Sequence, residues 1–212
     1  WLSILLGLAL LIATLWVGPQ LEPERYLAAA PFFMLLGLLL FSSGWRNIMQ
    51  YRQELLLMFM FGIPKVLLWP IADLRGVTAS FSTRLLQLLN FNAVQEGRLI
   101  HLPLGSVEVI RDCSGLNGML YLLAISTLFL VMMPVKGVKR YSIPVLGTAI
   151  AFLFNGVRVC FLAIMAADPD PERFDAWHST SIFSLGALAA FTAIYCSILW
   201  YEKRQSVTID SD

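Results

Sequence analysis

Charged residues are scarce in this sequence. Lys and Arg contribute 15 of its 212 residues and Asp and Glu contribute 14, while 58% of the chain is hydrophobic and the mean hydropathy is +0.73. Soluble domains contain about a quarter charged residues, so this composition excludes a soluble globular protein. The net charge of +1 and the dispersed basic residues give no reason to expect nucleic acid as a partner.

Histidine and cysteine are also rare, with two and three copies. His101 and His178 form no His-Glu-x-x-His pattern, and Cys113, Cys160 and Cys196 form no Cys-x-x-Cys pair. These absences argue against a zinc hydrolase and against quinone-linked disulfide exchange. No nucleotide-binding loop occurs either. The sequence therefore implies neither a metal nor a cofactor.

What the chain does contain is long apolar segments between clusters of charge. A helix needs about 20 mainly apolar residues to cross a hydrocarbon core of about 30 Å. Six segments approach that length: Leu2–Val17, Tyr26–Phe41, Leu55–Leu68, Gly115–Met133, Ile143–Ala166 and Ile182–Tyr201. The third is the weakest, because Pro64 and Lys65 interrupt it. The sequence predicts an all-α polytopic membrane protein with about six transmembrane helices.

Loop charges predict how these helices are oriented. With the N-terminus in the cytoplasm, the inner loops and the tail hold seven basic residues: Arg46, Arg52, Lys136, Lys139, Arg140, Lys203 and Arg204. The two short outer loops hold only Arg25 and Arg173. The positive-inside rule favours this orientation in the plasma (inner) membrane. It divides the chain into membrane helices over 1–68, an extracytoplasmic segment over 69–112, further membrane helices over 113–201 and a cytoplasmic tail over 202–212.

The extracytoplasmic segment is too long and too polar to be an idle linker. Its first part spaces apolar residues as on one face of a helix: Leu74, Val77, Phe81, Leu85 and Leu88. This spacing is typical of an amphipathic helix in the membrane interface, and a short re-entrant or seventh helix is the alternative. Its second part alternates over Leu99–Leu102 and Val107–Ile110 around a turn at Pro103–Ser106, which predicts a small β-hairpin.

Three residues in or beside the membrane segments are candidates for chemistry, because polar side chains are costly there. Cys113 begins the fourth segment, where a helix N-terminus would favour the thiolate. Arg158 lies inside the fifth segment, and His178, which can exchange protons near neutral pH, opens the sixth. The predicted orientation brings all three to the outer face. A cysteine nucleophile, a histidine acid and base, and an arginine for the thiolate and the oxyanion make a coherent acyl-transfer site.

Each candidate also has a plain structural interpretation. Cys113 would be an ordinary buried cysteine, as Cys160 and Cys196 are expected to be. Arg158 would be bonded to backbone carbonyls, and His178 would be an interfacial histidine without a chemical role.

Over about Val94–Phe191 the sequence resembles the exosortase and archaeosortase family of membrane-embedded transpeptidases. Its matching motifs are Gly97-Arg98-Leu99-Ile100-His101-Leu102-Pro103, Cys113-Ser114-Gly115-Leu116, Asn155-Gly156-Val157-Arg158 and His178. The resemblance implies a catalytic triad of Cys113, Arg158 and His178. It also implies membrane-anchored exported protein substrates with a C-terminal sorting signal, typically a Pro-Glu-Pro type motif, a transmembrane helix and a basic tail. The implied thioester at Cys113 passes to an acceptor nucleophile or to water.

Some positions depart from the family pattern. Asp112 and Asn117 stand where alanine and arginine are frequent, and Ile182 stands where glycine is frequent. Asp112 is expected to raise the pKa of the cysteine by charge repulsion. Six residues are expected to contact substrate: Asp112, Ser114, Asn155, Arg84, Arg98 and Glu108.

Two rival interpretations remain open. Ser114 would be the nucleophile of an intramembrane serine protease that uses a membrane histidine, and that reading leaves Arg158 unexplained. In the other, the chain is a non-enzymatic transport or assembly protein in which Arg158 binds an anionic group. It has no internal repeat of the kind that secondary transporters contain.

Overall fold

The computed structural model describes residues 1–20, 22–166 and 171–209. The chain is mostly helical, with nine α-helices in these ranges: α1 Leu2–Val17, α2 Pro23–Ser42, α3 Gly44–Asn47, α4 Arg52–Leu68, α5 Arg75–Leu88, α6 Leu116–Met132, α7 Lys139–Met165, α8 Pro171–His178 and α9 Ile182–Ile209. Short 3₁₀ turns occupy Gly18–Gln20, Ile48–Tyr51 and Arg111–Cys113. The chain forms two compact units, Trp1–Ala72 with Thr127–Met133, and Asp73–Ser126 with Pro134–Asp212.

Within the described ranges, three helices are long and apolar enough to cross a membrane. They are α2, α7 and the Ile182–Arg204 part of α9. The apolar helices α1 and α6 have only 16 and 17 residues. The interrupted third segment forms α4, which contains Pro64. All six predicted segments are helical, but six membrane spans are not confirmed.

The first unit packs its helices at small residues. A Cβ placed on Gly7 of α1 would lie 2.7 Å from the carbonyl oxygen of Gly37 on α2. A Cβ placed on Gly62 of α4 would overlap the carbonyl oxygen of Ala28 on α2. Glycine therefore lets these backbones approach closely, as small residues do in membrane helix bundles.

The second unit is built around α7, against which α5, α8, α9 and a small sheet pack. Its core contains residues from α5, the sheet, α7 and the turn before α6: Ala79, Leu86, Ala93, Ile100, Val109, Cys113, Val159, Cys160 and Ala163. The sulfur of Cys113 is thus part of a packed core, and its side chain is held by neighbours on several elements.

Helix α5 buries mainly small and polar residues: Thr78, Ala79, Ser82, Thr83 and Leu86. The hydroxyls of Thr78 and Ser82 donate to the backbone carbonyls of Ser114 and Gly156. The predicted apolar stripe is divided. Phe81 contacts Phe152 of α7 with ring centroids 5.2 Å apart and Leu85 packs against the core, whereas Val77 and Leu88 are 56% and 79% exposed. Exposed apolar residues of this kind suit an interfacial helix that contacts lipid.

The sheet has three antiparallel strands in the order β1 Val94–Glu96, β2 Leu99–Leu102 and β3 Gly105–Glu108. Ile100 pairs with Val107, so the predicted hairpin forms, with a shorter turn than expected. Strand β1 was not predicted, because three residues are too few for an alternating pattern. Gly97, with φ of 61°, makes the tight turn between β1 and β2.

The sequence predicted that His178 would begin the last membrane helix, and this prediction is wrong. His178 is the final residue of α8, and α9 begins at Ile182. The chain leaves the helical path over residues 179–181. The hydroxyl of Thr180 accepts the N–H of Ile182 at 3.4 Å, which suits the start of a new helix.

Candidate active site

One turn of α7 holds the two chain segments that carry Cys113 and His178. Asn155 and Arg158 are three residues apart and therefore lie on one face of the helix. The side-chain amide of Asn155 donates to the backbone carbonyl of Cys113 at 2.9 Å. The Nη2 group of Arg158 donates to the backbone carbonyl of His178 at 2.7 Å. The Asn-x-x-Arg spacing thus fixes both segments against the same helix.

These anchors bring the thiol and the imidazole together. Cys113 Sγ lies 3.5 Å from His178 Nε2, which is hydrogen-bonding distance for sulfur. The ring of Phe174 stacks on that of His178, with centroids 5.9 Å apart and planes at 14°. Trp177 packs on Phe161 of α7 at 4.6 Å. These ring contacts hold α8 so that His178 is directed toward the sulfur.

The backbone around Cys113 is fixed by local geometry. The N–H of Cys113 donates to the carbonyl of Ile110 at 3.1 Å within the 3₁₀ turn. The hydroxyl of Thr78 donates to the backbone carbonyl of the following residue, Ser114, at 2.8 Å. Gly115 then takes φ of 85°, and a Cβ there would lie 2.7 Å from Asn155 Nδ2. Glycine after Cys113-Ser114 is required by both backbone and space.

Charge and burial act in opposite directions on the Cys113 thiol, which lies in the turn before α6. Burial raises its pKa above the ordinary value, and the negative charge of Asp112 raises it further. Arg158 lowers the same pKa through its charge and a hydrogen bond. Burial is the largest of these influences, so on balance the pKa of the thiol is raised. Cys113 lies in the 3₁₀ turn Arg111–Cys113, three residues before α6 begins at Leu116, and not on the first residue of that helix.

Arg158 retains donor capacity after it has bonded His178. Its Nε is buried and has no hydrogen-bond partner among the described residues. Arg158 also lines a cavity of about 330 Å³ between α6, α7 and α9. Asp112, Asn117 and Asn155 give this cavity a polar end, and Phe154 is among its apolar lining residues. A buried unpaired donor is costly, so this Nε is a candidate donor to a bound group.

Cys113 and His178 face a second cavity of about 290 Å³, here called the Cys113 groove. Its remaining lining residues come from β3 and the turn after it, from α7 and from α8: Ser106, Val107, Glu108, Val109, Ile110, Val159, Leu162 and Phe174. An extended segment of peptide could therefore reach the sulfur along β3.

The residues expected to contact substrate are distributed unevenly. Glu108 lines the Cys113 groove, and Asp112 and Asn155 line the neighbouring cavity. Ser114 is 2% exposed. Arg98 donates to Asp73 at 3.0 Å, beside the bidentate contact between Asp73 and Arg75. Arg84 lies on the exposed side of α5.

Sequence reasoning missed several residues that support the site. Thr78 bonds a chain segment 36 residues away, and its buried position breaks the apolar spacing of α5. Phe174 lies in an acidic loop, where no sequence pattern marked it.

His101, the second histidine, lies in the small sheet, and its Nδ1 is 2.8 Å from Ser106 Oγ. Among the described residues, no group of three or more His, Cys, Asp or Glu side chains could hold a metal ion.

The charges around Cys113 predict opposite shifts of its pH profile. Arg158→Met removes the positive charge that lowers the thiol pKa, so alkylation of Cys113 at a given pH slows and its rate profile moves to higher pH. Asp112→Asn removes a negative charge, so the profile moves to lower pH. The rate of reaction with a small thiol reagent, located at Cys113 by peptide mass spectrometry, measures both shifts. Shifts of the same sign in the two variants would contradict this electrostatic account.

Asn155→Ala is expected to destabilise the chain by about 1–3 kcal/mol, because a buried carbonyl loses its donor. Thr148→Ala is the matched control, since its hydroxyl bonds only carbonyls of its own helix, and a change within about 0.5 kcal/mol is expected. Unfolding in detergent micelles measures both. Equal stability of the two variants would show that Asn155 does not anchor Cys113.

Comparison with known proteins gives one family. The family model described as transmembrane exosortase matches residues 1–195. No curated protein and no solved structure matches the chain. The match extends beyond the motifs around Cys113, Arg158 and His178 to the N-terminal helices. The chain therefore belongs to the transmembrane exosortase family.

Proposed function

We propose that this protein is a cysteine transpeptidase that cleaves the C-terminal sorting signal of membrane-anchored exported proteins through a thioester at Cys113. The observation that carries the proposal is the 3.5 Å approach of Cys113 Sγ to His178 Nε2, in a groove open to a peptide. A nucleophile within reach of a base, with the base positioned by a third residue, is the arrangement that covalent catalysis needs. Arg158 is the third residue.

In the first half of the reaction, His178 Nε2 takes the proton of the Cys113 thiol. The thiolate attacks the carbonyl carbon of the scissile peptide bond, and the carbonyl oxygen becomes an oxyanion. Arg158, which is close enough to lower the pKa of the thiol, stabilises the negative charge of the thiolate and of the developing oxyanion. The C–N bond then breaks, and the imidazolium gives its proton to the leaving amine, so the membrane anchor departs.

In the second half, an acceptor nucleophile or water attacks the thioester. His178 takes the proton of the attacking group, and the thiolate of Cys113 leaves. The proton then returns from His178 to the sulfur, which restores the resting thiol. The product is the exported protein joined to the acceptor, or released as a free acid when water reacts.

In this pathway His178 offsets the effect of burial on the thiol. Because burial raises the pKa of Cys113 more than Arg158 lowers it, transfer of the proton to His178 assists formation of the thiolate. The substrate peptide also displaces water from the groove, which strengthens the attraction between the thiolate and Arg158. Proton transfer and substrate binding are thereby coupled.

The proposal places the site at the extracytoplasmic face of the plasma (inner) membrane. The charge asymmetry of the loops supports this orientation. An enzyme that acts there meets proteins after export, while their C-terminal helices are still anchored in the bilayer. The acceptor would approach from the same side.

The serine protease alternative is disfavoured by the surroundings of Ser114. Its hydroxyl accepts the N–H of Leu116 at 3.4 Å, and its side chain is 2% exposed. A hydroxyl that caps its own chain is poorly placed as a nucleophile. A purely non-enzymatic role would leave the contact between Cys113 and His178 without a purpose.

A reporter with a Pro-Glu-Pro type motif, a transmembrane helix and a basic tail tests the proposal when it is expressed with this protein. Cleavage is expected with the unchanged chain and to disappear in Cys113→Ala. In His178→Ala it is expected to slow by about a hundredfold or more, the usual worth of acid–base catalysis. Immunoblots and mass spectrometry of the released domain measure the rate and the cleaved bond.

The matched control is Cys196→Ala, which removes an exposed cysteine of α9 and should cleave at the unchanged rate. Cleavage that survives in Cys113→Ala but is lost in Ser114→Ala would transfer the reaction to serine. An intact reporter with the folded, unchanged chain would favour the non-enzymatic alternative.

A further inference from the structure

The sheet ends in an edge strand beside the reacting side chains. Strand β3 pairs with β2 on one side, and no strand in the described ranges pairs with its other side. Ser106, Val107 and Glu108 of β3 line the Cys113 groove together with Cys113 and His178. The free edge and the sulfur thus share one cavity.

The register of the sheet shows which backbone groups face that edge. The N–H of Val109 donates to the carbonyl of Arg98 at 2.9 Å, so Val109 points its backbone groups toward β2. In an antiparallel pair these directions alternate. Val107 therefore also faces β2, while the N–H and C=O groups of Ser106 and Glu108 face the other way.

Three of these four outward groups are unpaired. The carbonyl of Glu108 accepts the N–H of Ile110 at 3.0 Å. The N–H and C=O of Ser106 and the N–H of Glu108 have no hydrogen bond among the described residues. They are spaced over roughly 7 Å, two residues of a strand. This is the pattern that an additional strand completes.

The shape and polarity of the groove fit an extended peptide. Val159 and Leu162 of α7 and Phe174 of α8 line it. An extended backbone brings polar groups that an apolar groove cannot satisfy, and an unpaired peptide group is costly there. The free edge of β3 supplies the missing partners at the place where they are needed.

We propose that the Cys113 groove binds the substrate as an added β-strand, in which the residues beside the scissile bond pair with the backbone of Ser106 and Glu108. The scissile carbonyl then reaches Cys113 at the end of the groove. This inference rests on the proposed function, whose substrate it describes. It makes the substrate class an extended peptide recognised mainly through its backbone.

Strand addition determines which parts of the peptide are selected. Main-chain hydrogen bonds give affinity, while alternate side chains enter pockets or point away. One side chain faces Val159 and Leu162 and must be uncharged. The side chains of the two neighbouring peptide residues point out of the groove, one of them near Glu108. These two positions of the peptide therefore tolerate different side chains.

The protein side of the pairing is tested by Ser106→Pro against Ser106→Ala. Both substitutions remove the hydroxyl, but only proline removes the outward N–H, and edge strands tolerate proline at such positions. Binding of a fluorescein-labelled peptide with a Pro-Glu-Pro type motif is measured by anisotropy, with each substitution made in the full chain carrying Cys113→Ala. Loss of one hydrogen bond predicts about tenfold weaker binding for the proline variant than for the alanine variant. The alkylation rate of Cys113 in the same two variants, made with the cysteine retained, checks that the fold is unchanged.

The peptide side is tested by N-methylation of each N–H in turn. One amide donates to the carbonyl of Ser106, so its methylation should weaken binding about tenfold. The amides of its two neighbours face away from β3, so methylation there should change binding little. This scan uses the unchanged strand and decides the matter even if Ser106→Pro disturbs the fold.

Equal binding by the proline and alanine variants together with a flat methylation scan would overturn strand addition, as would no binding of the peptide at all. The outcome is distinguishable from failure of the proposed function. Cleavage of the reporter with a flat scan removes only the docking mode. A position-dependent scan without cleavage removes only the cysteine chemistry.

Discussion

Two hydrogen bonds from a single turn of α7 determine the rest of the site. Asn155 holds the carbonyl of Cys113 and Arg158 holds the carbonyl of His178, so the two reacting side chains meet because their backbones are fixed to one rigid helix. A helix positions such groups more reliably than loops do. Arg158 anchors His178 and lowers the pKa of the thiol, and its Nε has no hydrogen-bond partner in the part of the chain that the structure describes. Lysine at this position would lack the planar guanidinium group, whose several N–H donors can bond more than one partner.

Burial and Arg158 act in opposite directions on the pKa of Cys113, and burial is the larger influence. A raised pKa lowers the fraction of reactive thiolate, and burial limits access of reagents to the sulfur. The charge of Asp112 acts against Arg158 and raises the pKa of this thiol more than an alanine at the same position would. Under the proposed mechanism, formation of the thiolate therefore depends on transfer of the proton to His178.

Sequence reasoning succeeded where one local signal decides the structure. Long apolar runs gave the six helical segments. The motifs that contain Cys113, Arg158 and His178 lie together in the structure, while the membrane face predicted from loop charge stays a prediction. Sequence reasoning failed where distant partners decide. The buried face of α5 depends on carbonyls that Thr78 and Ser82 reach 36 and 74 residues away. The start of α9 is marked by the hydroxyl of Thr180, which accepts the N–H of Ile182, and a hydropathy pattern does not register such a bond.

The thioester itself is the species on which this account depends. Intact-protein mass spectrometry after brief reaction with the anchored reporter, in the absence of added acceptor, measures it directly. We expect an acyl adduct whose mass equals the upstream part of the reporter, attached at Cys113 and removed by hydroxylamine. Cleavage of the reporter without an adduct at any time, or with an adduct at Ser114 instead, would contradict the assignment of Cys113 as the nucleophile.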